Sequence, residues 1–166
     1  MKKSILWLCV VLWMIIIFLF SNMNSISSND KSKKVIDVAI EQSINVTNSI
    51  GVTKNFPSQS KKSELIEELN VPLRKCAHST IYFVLATFLL LALSQSISKR
   101  IIIVIFTFII SFIYACTDEF HQLYVSGRTG QFSDVIIDMI GVVLACIMFI
   151  VIKRVVGKCK KKEKYS

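Results

Sequence analysis

The sequence lacks the motifs that identify the common classes of metal protein and enzyme. Its five cysteines are scattered, and no Cys-x-x-C pair or Cys/His ligand spacing is present, so we predict no metal site. It also contains no phosphate-binding P-loop, no phosphatase-type signature and no nucleophile beside an obvious base. We therefore expect no cofactor and none of the familiar catalytic centres.

Acidic residues are also few, since 11 Asp and Glu stand against 20 Lys and Arg and the formal net charge is +9. A basic chain can be a nucleic-acid binder, but here the basic residues cluster where membrane topology would place them. The distribution therefore excludes a nucleic-acid partner. It favours the lipid bilayer as the partner.

Hydrophobic residues are abundant rather than scarce. They make up 53% of the 166 residues, and the mean hydropathy is +0.58. This is too apolar for an ordinary soluble domain of this length. The composition predicts a small integral membrane protein.

Four apolar runs predict four membrane spans, at about 5–21, 76–94, 101–117 and 135–152. The first run begins as a signal peptide does, but no small-x-small cleavage site follows it, so we expect a retained span. The third run is short for a hydrocarbon core of about 30 Å. Its helix is therefore expected to continue through residues 118–122.

The basic residues predict the topology. Lys2 and Lys3, the pair Lys99-Arg100 and the lysine-rich segment 153–166 should all be cytoplasmic under the positive-inside rule. The predicted fold class is an all-α membrane protein with four transmembrane helices and cytoplasmic N- and C-termini. We expect a multi-pass protein of the plasma membrane with an extracellular loop at 22–71 and a basic cytoplasmic tail at 153–166.

The extracellular loop has a helical pattern. Val35, Ile36, Ala39 and Ile40 recur at helical spacing, which predicts an amphipathic helix over 34–50, on the membrane or against the bundle. Ser63 is typical of a second helix start. The segment 70–72, Asn-Val-Pro, predicts a break before the second span, with Pro72 at a first helical position.

Polar residues between and beside the later spans form the candidate site, since ionisable groups near hydrocarbon are costly. We expect two groups on the outer side: one opens the second span, and the other lies between the third and fourth. The candidates are Lys75, His78, Asp118, Glu119, Gln122, Arg128 and Asp134. Asp134 is predicted to cap the fourth span, and Asp138 lies one turn further on.

Each candidate also has a structural interpretation. Lys75 could extend to lipid headgroups, and His78 could be a hydrogen-bonded interfacial residue. The adjacent Asp118 and Glu119 do not share a helix face, which predicts different partners for them. Arg128 lies between glycines, where its guanidinium could hold a phosphate or carboxylate of a ligand, or form an internal bridge to Asp118 or Asp134.

Three motifs resemble a known family. The segment 74–78 reads RKCAH and resembles the RKxAH signature of VanZ-like membrane proteins. The segment 118–122, DEFHQ, resembles their DExxQ motif, and 127–134 resembles GRxGxxxD. The motifs occur in the family's order and on the expected spans, which implies a single VanZ-like domain over 1–166. The family often has Asn at the position of Asp138.

The resemblance implies a bacterial, Gram-positive cell-envelope protein, because the family is named for an accessory protein of teicoplanin resistance. It supplies no reaction, so three hypotheses stay open. The chain could bind an anionic lipid headgroup or a lipid-linked wall precursor and so alter glycopeptide access. It could be a membrane enzyme acting on such a lipid, with His78 or a carboxylate as acid or base and Lys75 and Arg128 on phosphate. It could be a structural partner of another membrane protein.

Overall fold

The computed structural model describes residues 2–22, 25–49, 59–125 and 131–163. These residues form five α-helices and no strand: α1 (Lys2–Ser21), α2 (Ser25–Ser49), α3 (Gln59–Ser94), α4 (Arg100–Gln122) and α5 (Phe132–Glu163). Within this described part, four helices are long and apolar enough to cross a membrane: Lys3–Ser21, Lys61–Ser94, Arg100–Gln122 and Phe132–Gly157. The predicted all-α fold with four spans is confirmed.

Helix α3 is the centre of the bundle, because it contacts each of the other four helices. Its inward face is built from residues that are completely buried, Leu85, Ala86 and Leu89 among them. The three remaining spans expose most of their apolar side chains outward. This is the arrangement expected when the solvent around the bundle is hydrocarbon.

Two aromatic residues hold α1 in place by donating hydrogen bonds to backbone carbonyls. Trp13 of α1 donates from Nε1 to the carbonyl of Ile81 in α3 at 3.0 Å. Tyr114 of α4 donates from its hydroxyl to the carbonyl of Met14 in α1 at 2.6 Å. Helix association in lipid depends on such bonds and on close packing, because apolar contact alone gives little gain there.

Helix α4 buries a face of small and polar residues, and it ends where the sequence predicts. Its buried positions recur at helical spacing: Ile103, Thr107, Ser111, Ala115, Asp118, Glu119 and Gln122. The expected continuation of this helix through residue 122 is confirmed. The polar residues at its end are therefore carried into the bundle on the same face as the apolar ones.

The predicted break before the second span is wrong, because α3 runs without interruption from Gln59 and contains Pro72 in its interior. A proline there removes one helical hydrogen bond, at a cost of about 3 kcal/mol. Helix α2 supports the segment before the proline: Lys62 pairs with Asp37 at 2.5 Å, and Ile36 is buried. Tertiary contacts thus override the local signals at Ser63 and Pro72.

The amphipathic helix between the first two spans is confirmed as α2, although it begins at Ser25 rather than near residue 34. Among the helices of the described part, it contacts α3 alone. A second ion pair, Lys33 with Glu67, joins the same two helices. The expected end at Gly51 lies outside the described residues.

The predicted N-cap role of Asp134 is wrong as well. Helix α5 begins two residues earlier, at Phe132, and Asp134 lies in its first turn, where its backbone N–H donates to the carbonyl of Gln131 at 2.8 Å. A carboxylate in the first turn still interacts favourably with the helix dipole. Cys76 and Cys116 are both free thiols, so no disulfide joins them.

Candidate functional site

Buried polar side chains gather at one end of the bundle, where the span of α3 begins, α4 ends and α5 begins. Asp118 and Glu119 of α4 are 5% and 6% exposed, and Asp138 of α5 is fully buried. We call these three carboxyl groups the acidic cluster and this end of the bundle the polar end. Gln122 and Tyr82 are buried beside them.

The three carboxyl groups come from two helices and interact electrostatically with one tyrosine. The hydroxyl of Tyr82, on α3, interacts electrostatically with Asp118, Glu119 and Asp138. Asp138 in turn interacts with both carboxyl groups of α4. Carboxylates that interact in a poorly solvated site repel one another when both are ionised, so the arrangement carries an energetic cost.

Two hydrogen bonds fix the carboxyl groups of α4. Gln122 donates from Nε2 to Asp118 Oδ2 at 3.4 Å, the i, i+4 pair that the sequence predicts. Glu119 accepts a hydrogen bond at Oε2 from the backbone N–H of Gln131 at 3.0 Å. The second bond ties the start of α5 to the end of α4.

His78 and Asp138 form an electrostatic contact between α3 and α5. Nδ1 of His78 lies 3.8 Å from Oδ1 of Asp138, and the imidazole is 29% exposed. This distance is longer than a hydrogen bond but short enough for an ion pair with a protonated imidazole. The histidine therefore lies at the boundary between the buried cluster and the surroundings.

Lys75 is separate from the acidic cluster. It lies one turn before His78, its side chain is exposed, and no ion pair joins it to another described residue. At this position it is accessible to a group outside the bundle.

Of the remaining two candidates, the structure describes Asp134 but not Arg128. Asp134 is half-buried in the first turn of α5 and interacts electrostatically with Asp138. Arg128 lies outside the described residues, so its predicted role stays a prediction.

Sequence reasoning missed Asp138 and Tyr82 as members of the site. Both are fully buried, and neither the carboxyl oxygens of Asp138 nor the hydroxyl of Tyr82 has a hydrogen-bond partner in the described part of the chain. A carboxylate four residues after Asp134, inside an apolar run, was the available signal.

A cleft of about 220 Å³ lies between α4 and α5 beside the acidic cluster. Most of the residues that line it are apolar, and Glu119 is the lining residue that carries a carboxyl group. The lining residues are Cys116, Glu119, Phe120, Leu123, Gln131, Phe132 and Val135. Phe120, Leu123 and Phe132 are all exposed on its outer side.

The chemistry available at the polar end is that of hydrogen-bond acceptors. Ionised carboxylates accept hydrogen bonds and attract cations. No group of three or more His, Cys, Asp or Glu side chains within the described ranges is arranged to hold a metal ion. The site is therefore suited to a ligand that donates hydrogen bonds.

Comparison with known proteins gives one match. The model of the VanZ/LLP1 family matches residues 6–153, a range that overlaps all four spans and contains the polar end. No curated protein and no solved structure matches. Since the family match covers most of the sequence and agrees with the four long apolar helices, this chain is a membrane protein of the VanZ/LLP1 family.

Proposed function

We propose that this protein acts in the bacterial cell envelope by binding the headgroup of an anionic lipid or of a lipid-linked wall precursor at the polar end. The observation that carries the proposal is the acidic cluster, three carboxyl groups that are almost or fully buried where helices of a membrane bundle meet. Carboxyl groups at this depth serve a ligand pathway or site by default.

The cost of the cluster supports a functional role. Ionisable side chains buried among membrane helices are costly. Apolar residues of similar volume would pack in the same space without this cost. A structural role alone does not account for retaining three carboxyl groups beside the unpartnered hydroxyl of Tyr82.

Lys75 has a complementary role in this proposal. Its exposed ammonium group, one turn before His78, suits a lipid phosphate outside the bundle. The acidic cluster then holds hydrogen-bond donors elsewhere in the same headgroup. Under the positive-inside rule, the polar end faces the outside of the plasma membrane, where wall precursors are exposed.

Glycopeptide tolerance follows from this proposal when the bound headgroup belongs to a wall precursor. A precursor held at the polar end is less accessible to a drug that binds it from outside. The match to the VanZ/LLP1 family, together with the family's association with teicoplanin resistance, supports this step.

The test is teicoplanin susceptibility of a sensitive Gram-positive host that expresses the wild type, Lys75→Ala, Asp118→Asn or Glu119→Gln. Glu64→Gln is the matched control, because Glu64 is exposed on α3 and lies far along the helix from the cluster. We expect tolerance with the wild type and the control, and its loss in the site variants at equal membrane abundance by immunoblot. Abundant site variants that protect as well as the wild type would contradict the proposal.

The pair of His78 and Asp138 favours one second candidate, a membrane enzyme acting on the same lipid. A carboxylate near Nδ1 orients an imidazole and stabilises its protonated form, as a general base requires. The 3.8 Å separation can tighten when a substrate binds. Incubating purified protein with a lipid-linked precursor decides between the candidates: a product absent with His78→Gln assigns an enzyme, and binding without turnover assigns the first function.

A further inference from the structure

We propose that the acidic cluster binds the ammonium group of an amphiphilic amine, which reaches it through the cleft between α4 and α5. This inference rests on the proposed function and narrows it. The ligand is a lipid-like molecule whose headgroup carries a protonated amine in addition to its anionic phosphate.

The first observation concerns two buried groups that lack hydrogen-bond partners. Asp138 is fully buried, neither of its carboxyl oxygens accepts a hydrogen bond from a described residue, and Nδ1 of His78 lies 3.8 Å from its Oδ1. Tyr82 is also fully buried, and its hydroxyl faces the cluster without a partner. Buried polar groups in this state are rare, and a bound ligand is one of the causes.

The second observation concerns charge. The cluster brings together the carboxyl groups of Asp118, Glu119 and Asp138, and an ammonium group supplies both a compensating charge and three N–H donors. The oxygen of Tyr82 is a further acceptor for the same group. A phosphate offers acceptors only and would be repelled by the carboxylates, so the phosphate of the headgroup belongs outside, near Lys75.

The third observation is the route to the cluster. Glu119 belongs both to the cluster and to the wall of the cleft, so the cleft reaches the cluster at Glu119. The exposed rings of Phe120 and Phe132 lie on this route, and aromatic faces attract ammonium groups. The other lining residues are mostly apolar and suit the hydrocarbon portion of an amphiphile.

The test uses the full chain in mixed micelles with equal amounts of phosphatidylethanolamine and phosphatidylglycerol, followed by native mass spectrometry of the retained lipids. We expect the wild type to retain the amine-bearing lipid over the glycerol lipid by about tenfold. Asp138→Asn and Glu119→Gln should reduce this ratio to near unity, because each replaces a carboxyl oxygen that can accept an N–H of the ammonium group with an amide NH2 and keeps the side-chain shape. The control Glu64→Gln should keep it.

A second variant keeps the test decisive if an acidic-site variant fails to fold. Tyr82→Phe preserves the ring that packs in the core and removes only the hydroxyl, so we expect it to fold and to lower the ratio severalfold. Free ethanolamine at millimolar concentration should leave the retained lipid in place. Displacement of the lipid by ethanolamine would overturn the proposal of an amphiphilic ligand and assign the site to a soluble amine.

The outcomes separate the inference from the proposed function. Retention of both lipids without preference, in the wild type and all variants, would overturn the ammonium site while headgroup binding stands. If the protein retains neither lipid and binds no wall precursor, the ammonium site and the proposed function are both overturned.

Discussion

Gly141 of α5 lies so close to Ser79 of α3 that a methyl group at 141 would come within 1.9 Å of the Ser79 carbonyl oxygen. The same hypothetical methyl would lie 3.0 Å from the backbone nitrogen of Phe83. Small residues permit this close approach of membrane helices. This close approach lies about one helical turn from the contact of His78 with Asp138. It therefore sets the distance between α3 and α5 at the polar end.

We predict that Gly141→Ala disrupts the bundle, because backbone atoms cannot move aside as a flexible side chain can. The expected cost is about 1–3 kcal/mol, seen as lower membrane abundance and a lower melting temperature in detergent. Gly157→Ala is the matched control, since its new methyl would meet only the Arg100 side chain at 3.7 Å. Equal stability of the two variants would contradict the close crossing of α3 and α5.

We predict that Tyr114→Phe lowers the stability of the bundle by about 1 kcal/mol, because it removes the hydroxyl that donates to the Met14 carbonyl. Thermal unfolding in detergent measures this loss. Tyr124→Phe is the control, because that tyrosine is 76% exposed. The account of α1 docking fails if the two substitutions have the same effect.

We predict that Pro72→Ala stabilises the protein. The proline lies inside the continuous helix α3, and alanine restores the missing backbone donor and relieves the ring clash, which together cost about 3 kcal/mol. The melting temperature should rise, and the helix content measured by circular dichroism should rise or stay unchanged. A fall in both would show that the chain requires a break at this position, as the local sequence suggests.

We predict that the effects of His78→Gln and Asp138→Asn on lipid retention are not additive, because Nδ1 and Oδ1 of these residues lie 3.8 Å apart. A double-mutant cycle on the amount of retained lipid gives the coupling. Lys75→Ala with Asp138→Asn serves as the comparison, since Lys75 is exposed outside the cluster, and this pair should be additive.

The sequence predicted those parts of the structure that depend on a single helix. The pairing of Gln122 with Asp118 follows from a four-residue spacing along α4, and the four spans follow from apolar length. The burial of Tyr82 and Asp138 beside the carboxyl groups of α4 depends on how three helices cross. No local pattern encodes those crossings.

The wrong predictions share a physical cause. Pro72 and Asp134 carry strong local signals for a helix start, yet both lie inside helices that begin earlier. For α3, the ion pair of Lys62 with Asp37 and the burial of Ile36 hold the preceding turns in place. Contacts between helices thus decide where a helix begins, and the local sequence propensity alone does not predict that residue.

The central claim, that the acidic cluster is a headgroup-binding site, is tested most directly by the lipids that copurify with the protein. The comparison is between the wild type, the triple variant Asp118→Asn/Glu119→Gln/Asp138→Asn and the exposed-site control Glu64→Gln, each extracted gently from the same envelope. The account predicts a near-stoichiometric polar lipid on the wild type and the control, and its loss from a folded triple variant. Equal retention of that lipid by all three proteins would contradict it.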